Sequence, residues 1–221
     1  NYGTEFGQRL AIQVSEGKNV KTHDLHFSDN RNWKGEIDFF SKSIEYKYLV
    51  LDANNQIINE EICHHRLNFL NNFQEYNIYD VWNNKNFPEN YLNNKILQNK
   101  LGDLKAEKVA ILKKHTHHFR IEAPLYSPDW KMVILGNNET LGNWSYADAP
   151  KMAQTSVGVW ELAVDLKKQK EFVQYKYGIF DEKKGEVIAV EYGENRLAFP
   201  NQDAEVLQVH ADHYFRFNSE Q

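Results

Sequence analysis

Three side chains able to bind a polar ligand fall on one short stretch, from Tyr175 to Arg196. They are Lys176, Glu191 and Asn195: an ammonium, a carboxylate and a carboxamide. No hydrophobic pattern dictates their placement. Tyr175, Tyr177 and Ile179 alternate with Lys176 and Gly178, the period-two pattern of a half-buried strand. A charged turn with one glycine follows at 181–185, and Val187 and Ala189 begin a return strand. Polar groups held on a rigid hairpin suit a ligand rich in hydroxyls. A fourth candidate, Trp144, ends the polar loop 137–144, where packing gives little reason for an indole.

The hairpin has an earlier relative. Tyr46-Lys47-Tyr48-Leu49-Val50-Leu51-Asp52 parallels Tyr175-Lys176-Tyr177-Gly178-Ile179-Phe180-Asp181, and Glu61 and Arg66 are five residues apart, as are Glu191 and Arg196. Upstream, the stretch from Trp33 resembles the stretch from Trp160. Shared order at a period far longer than a solenoid unit implies two copies of one module.

The elements that must position these residues are strands. In the first module, residues 1–70, Leu10, Ile12 and Val14 alternate with polar neighbours, and Leu67 and Phe69 close the sheet. Residues 71–116 are asparagine-rich and read as an ordered, partly helical connector. Leu92, Ile96, Leu97 and Leu101 fit a short helix that Gly102 stops, while Trp82 anchors the segment. The second module, residues 117–210, opens with Phe119, Ile121 and Ala123 on one face. Trp33 and Trp160 each begin an alternating strand and are assigned to cores. Residues 211–221 read as a tail leading toward a further domain. Frequent turns between alternating strands give an all-β expectation of two antiparallel β-sandwiches.

Composition sets outer limits. The chain has 221 residues, enough for one or two domains. Its 12 Tyr, 13 Phe and 5 Trp favour strands and stacking surfaces. A net charge of −5 without a basic block argues against a nucleic-acid partner. No run is long and apolar enough for a membrane helix. The single cysteine, Cys63, allows no internal disulfide and favours a cytoplasmic location. Adjacent strand residues face opposite ways, so neither Cys63-His64-His65 nor the group His115, His117 and His118 converges on a metal. No metal site or cofactor is expected.

The motifs Leu141-Gly142-Asn143-Trp144, Trp160, Tyr175-Lys176-Tyr177 and Glu191…Asn195-Arg196 resemble the starch-binding domains of carbohydrate-binding module family 20. The resemblance covers nearly all of 119–200 and implies an immunoglobulin-like sandwich that binds an α-1,4-glucan polymer or maltooligosaccharide. It assigns Trp144 as a stacking platform and Lys176, Glu191 and Asn195 as hydrogen-bonding partners. The family's second tryptophan, immediately before the glutamate, is Val190 here. Tyr126 and Trp130 are candidates for a second sugar site. In the first module only Lys47 and Glu61 match, with Glu60 and His65 at the other positions, so that copy is expected to have lost the site or to bind differently. Two such modules with Tyr79–Trp82 between them resemble the N-terminal part of 4-α-glucanotransferases of glycoside hydrolase family 77. That implies a downstream catalytic domain as partner and no catalysis by these residues. A (β/α)8 barrel needs about 250 residues alone. The rival expectation is a sandwich scaffold that has kept the fold, lost the sugar, and serves in docking or dimerisation.

Overall fold

The computed structural model describes residues 2–29, 31–62, 64–70, 73–82, 107–109, 114–123, 125, 127–212 and 214–217. Cys63, Tyr126 and the expected helix at 92–101 lie outside them. The chain forms two compact units: Asn1–Asn71 with Asp80–Asn90, and Asn72–Tyr79 with Tyr91–Gln221. Both are built from strands, and the fold is all-β.

In the first unit, strands β1 (Arg9–Glu16), β2 (Asn19–Asp24), β5 (Ser43–Leu51) and β6 (Ile57–Glu60) lie in the order β2-β1-β5-β6. Strand β7 (His65–Asn68) also pairs with β5. A separate hairpin joins β3 (His26–Asp29) and β4 (Asn32–Lys34). Leu10, Ile12 and Val14 from β1 meet Ile44, Tyr46 and Val50 from β5 in a buried core. Trp33 and Trp82 pack partly buried against it, and Phe39 stacks on Phe69 at 3.5 Å.

The second unit packs two sheets, of four and five strands. One contains β10 (Trp130–Gly136), β13 (Val173–Asp181) and β14 (Glu186–Val190), with β15 (Arg196–Ala198) also on β13. The other runs β11-β12-β9-β16-β8: Ala153–Ser156, Val159–Val164, His117–Glu122, Val206–Asp212 and Glu75–Asp80. Inward residues of both sheets form one core, including Phe119, Ile121, Met132, Ile134, Trp160, Tyr175 and Tyr177. Burying each such apolar side chain stabilises the fold by about 1.5–3 kcal/mol.

Three features depart from the strand-by-strand expectation. Strand β16 pairs with β9 in parallel. No hairpin connects those two, since they open and close the sandwich, and a long connection permits parallel pairing. Glu75–Asp80, expected within a connector, is a strand, and Gln74 N–H donates to Glu205 O at 2.8 Å beside it. The expected tail contributes to the interior: Asp212 and Phe215 are buried.

Candidate functional site

Strands β14 and β15 both pair with the same side of β13, end to end. The chain between them, residues 191–195, leaves the ladder. Glu191 N–H still donates to Tyr177 O at 2.9 Å, but the return bond is made by a side chain: Tyr177 N–H donates to Glu191 Oε1 at 3.2 Å. A carboxylate thus replaces a backbone carbonyl, and the sheet edge opens at Lys176.

That carboxylate faces inward. The Glu191 side chain has no exposed surface and is held by two arginines. Arg196 donates to it through Nε and Nη2, both at 2.9 Å, and Arg216 through Nε at 3.0 Å. Arg196 Nη1 also donates to Asp212 Oδ1 at 2.7 Å. Asp212 Oδ2 accepts both tyrosine hydroxyls, Tyr175 and Tyr177, each at 2.8 Å. Burial, and then the Asp212 charge, push both phenols well above their ordinary pKa. Burial opposes the Arg196 charge, yet Asp212 and Glu191 hold its pKa above the usual arginine value. In this position Glu191 cannot touch a ligand. It is the counter-ion that fixes the edge, which corrects its expected place on a sugar rim.

The outward side chains beside the opening are polar. Lys176 Nζ donates to Gly193 O at 2.6 Å, and Asn195 Nδ2 donates to Gln174 Oε1 at 2.7 Å. Gly193 has φ +84°, a left-handed turn that ends the strand. Asn137 brackets Gln174: its N–H donates to Gln174 O and its Oδ1 accepts Gln174 N–H, both at 3.0 Å. Gln174, Lys176 and Asn195 are therefore on one surface, and the Trp144 loop departs from it.

That loop is a tight turn over Glu139–Trp144. Asn138, buried, caps it by accepting Leu141 N–H at 3.1 Å on its Oδ1, and its carbonyl accepts Asn143 N–H at 2.8 Å. Leu141 is fully buried and packs over Gly136, where a β-carbon would come within 2.7 Å of Leu141 Cδ1. Gly142 has φ +78°, and a β-carbon there would approach Asp148 O to 2.8 Å. Asn143 and Trp144 then continue with φ +48° and +64°. A bulky residue in the left-handed region costs on the order of 1–3 kcal/mol. The strain turns the indole outward, 37% exposed, and Tyr146 two residues later is also exposed.

Trp130 takes another role: its Nε1–H donates to Asp181 Oδ2 at 3.2 Å and its ring packs on the core. Its partner in the expected second site, Tyr126, lies outside the described residues. Trp160 is buried with Nε1–H donated to Ala123 O at 3.0 Å. His117 and His118 face opposite ways. His117 Nε2–H donates to Phe199 O at 2.7 Å and its ring stacks on His210, while His118 meets Glu161 Oε2 at 3.0 Å. Burial lowers the His210 pKa to about 3. The sequence reading passed over Gln174. Its position two residues before Lys176, on the same strand face, was the available signal.

The segment carrying this arrangement can be compared with known proteins. Residues 116–209 match the starch binding domain family. The match takes in Trp144, Gln174, Lys176 and Asn195. It stops before Asp212 and Arg216, and the first unit lies outside it.

Solved structures similar to the chain include the family 20 module of the maltotetraose-forming amylase from Pseudomonas saccharophila. It is 25% identical with TM-score 0.36, covering 42% of this chain and 97% of that one. The Hypocrea jecorina glucoamylase is 21% identical with TM-score 0.39, covering 52% of this chain. The Hormoconis resinae glucoamylase is 21% identical with TM-score 0.40, covering 50%. The chain spans 19% of the length of each glucoamylase. No curated protein matches the chain.

Proposed function

We propose that the second unit binds α-1,4-glucan at the opening beside Lys176, with Trp144 as the stacking platform. A pyranose presents C–H groups on its faces and hydroxyls around its rim. The indole covers a face, and Lys176, Gln174 and Asn195 serve the rim. Stacking that removes roughly 100 Å² of apolar surface contributes about 2.5 kcal/mol before association costs. With a few hydrogen bonds this gives dissociation constants of roughly millimolar to high micromolar. A polymer with many equivalent rings makes such a weak grip sufficient.

The observation that carries this reading is the Trp144 backbone. A fold that only needed to bury an indole would not hold one outward at φ +64°. The starch binding domain match over the same residues supports the ligand class. Affinity electrophoresis through glycogen tests it: the protein is retarded, and Trp144→Ala runs free. Equal retardation of both would remove Trp144 from the site.

In the intact protein this unit brings glucan to a catalytic domain, and the resemblance of the repeated hairpins to those of glucanotransferases supports a glucan-transferring partner. The first unit has a different reading, favoured by its ion pairs. Lys47 donates to Glu60 Oε2 at 2.5 Å, and Arg66 pairs with Glu45. Lys47 and Glu45, at the positions of Lys176 and Gln174, are thereby held in ion pairs, so the first unit serves as a scaffold.

A further inference from the structure

The segment that follows β16 comes back to the opening. Tyr214, Phe215 and Arg216 are consecutive, and each has a fixed place in the second unit. The Tyr214 carbonyl accepts Arg196 Nη2–H at 2.8 Å. The Phe215 side chain is buried in the core. Arg216 then grips the loop twice. Its Nε–H donates to Glu191 Oε2 at 3.0 Å, and its carbonyl accepts Tyr192 N–H at 2.7 Å. Its Nη2 also lies 2.9 Å from Glu191 Oε1.

Loop 191–195 needs such a hold. None of its residues stands in register with β13, because β14 pairs up to Val190 and β15 begins at Arg196. A backbone without a ladder keeps one conformation only where other groups bond it. Tyr192 N–H is bonded to the Arg216 carbonyl. Gly193 turns the chain at φ +84°, and Arg216 Nη1 lies 3.8 Å from the place its β-carbon would take. The Gly193 carbonyl is the one that accepts Lys176 Nζ at 2.6 Å. Contacts therefore run from Arg216, through Tyr192 and Gly193, to the ammonium at the opening.

Arg216 is not needed to neutralise Glu191. Arg196 already donates to that carboxylate twice at 2.9 Å, and the Arg216 side chain is 25% exposed. What Arg216 adds is the position of residues 191–193. Tyr214, Phe215 and Arg216 also lie beyond residue 209, where the starch binding domain match ends. The opening is thus completed by a strap from outside the matched segment.

We infer that Arg216 is a positioning residue of the glucan site. The strap 214–216 holds loop 191–195 in the form in which Lys176 and Asn195 meet the sugar rim. It acts through Glu191, Tyr192 and Gly193 and does not touch the ligand. The inference rests on the glucan reading above and deepens it. Such coupling is reciprocal: a bound glucan stabilises the docked strap by the same factor by which the strap raises affinity.

Titration calorimetry with maltoheptaose on the full chain tests it, with wild type, Arg216→Ala, Arg216→Lys and Trp144→Ala, together with hydrogen exchange at the Tyr192 amide. Arg216→Ala weakens binding roughly fivefold, the low end of typical coupling between sites. Arg216→Lys restores a cation beside Glu191 and recovers most of the affinity. Maltoheptaose slows exchange of the Tyr192 amide in the wild type, and slows it less in Arg216→Ala. Unchanged affinity in Arg216→Ala, with binding lost in Trp144→Ala, overturns the inference and leaves the glucan site standing. Equal losses in the alanine and lysine variants, with lowered melting temperatures, also overturn it, because Arg216 then acts through the fold at large. Should Arg216→Ala not fold, exchange in the wild type decides: a Tyr192 amide indifferent to saturating maltoheptaose overturns the inference. A wild type that binds no maltoheptaose removes the glucan reading, and this inference with it.

Discussion

The two hairpins of this chain share one internal framework and present opposite exteriors. Inside, Tyr46 and Tyr48 donate to Asp80 Oδ2 at 2.7 and 2.8 Å, as Tyr175 and Tyr177 do to Asp212. Tyr48 N–H donates to Glu61 Oε2 at 2.9 Å, as Tyr177 N–H does to Glu191. The cation differs. Where Arg196 bridges Glu191 and Asp212, His65 bonds Glu61 at 2.8 Å and lies 4.0 Å from Asp80. Outside, the first hairpin pairs Lys47 with Glu60 and Arg66 with Glu45, whereas the second leaves Lys176, Gln174 and Asn195 bonded only to one another's neighbourhood. The difference teaches that the buried carboxylates build the broken strand edge, and that the exposed partners decide whether a ligand meets donors bonded to neutral oxygens or a closed ion pair.

The largest expected effect comes from breaking the interior. Arg196→Ala leaves two buried carboxylates short of their cation and destabilises the second unit by about 3 kcal/mol, the low end of the usual 3–5 because Arg216 still holds Glu191. His65→Ala costs the first unit less, about 1–3 kcal/mol, as its hydrogen bond to Glu61 and its stacking on Tyr46 are lost. Urea denaturation followed by tryptophan fluorescence measures both. Equal costs would mean that the identity of the bridging side chain is immaterial.

The next effect lies in the loop. Gly142→Ala places a β-carbon against Asp148 O at a left-handed φ, costing about 1–3 kcal/mol. A thermal melt shows the loss, and glucan affinity falls with it because Trp144 is repositioned. A stable Gly142→Ala variant with intact binding would show that the turn does not position the indole. In the first unit β1 instead passes into β2 directly through Gly17 and Lys18, which sharpens the contrast.

The smallest effect is at the lysines. Lys176→Met removes one charge-bearing donor and weakens maltoheptaose binding by about 1 kcal/mol, roughly fivefold. Lys47→Met, with its partner Glu60 left behind, changes nothing. A comparable loss at both lysines would place sugar on the first hairpin as well.

Much of the frame was legible in the sequence because alternation is a local signal. Phe119, Ile121, Tyr175 and Tyr177 announce their strands by period alone, and the YKY repeat announces the second copy. The ionic interior was not legible. Asp80 and Asp212 lie in stretches that read as connector and tail, and a carboxylate receiving two distant phenols leaves no local trace. The equal five-residue spacing of Glu61–Arg66 and Glu191–Arg196 pointed to the wrong bridging residue. In register Tyr46 faces His65, so His65 replaces Arg196, His64 replaces Asn195, and Arg66 sits on the surface with Glu45. Glu191 was assigned to the rim because residue identity says nothing of burial, which here depends on Arg216 twenty-five residues away.

Amide and indole NMR shifts during a maltoheptaose titration test the central claim most directly. The account predicts that the Trp144 indole N–H and the amides of Lys176, Gly193 and Asn195 move together, while Lys47, Glu60 and His64 stay still. An unmoved Trp144 indole, or shifts centred on the first hairpin, would contradict it.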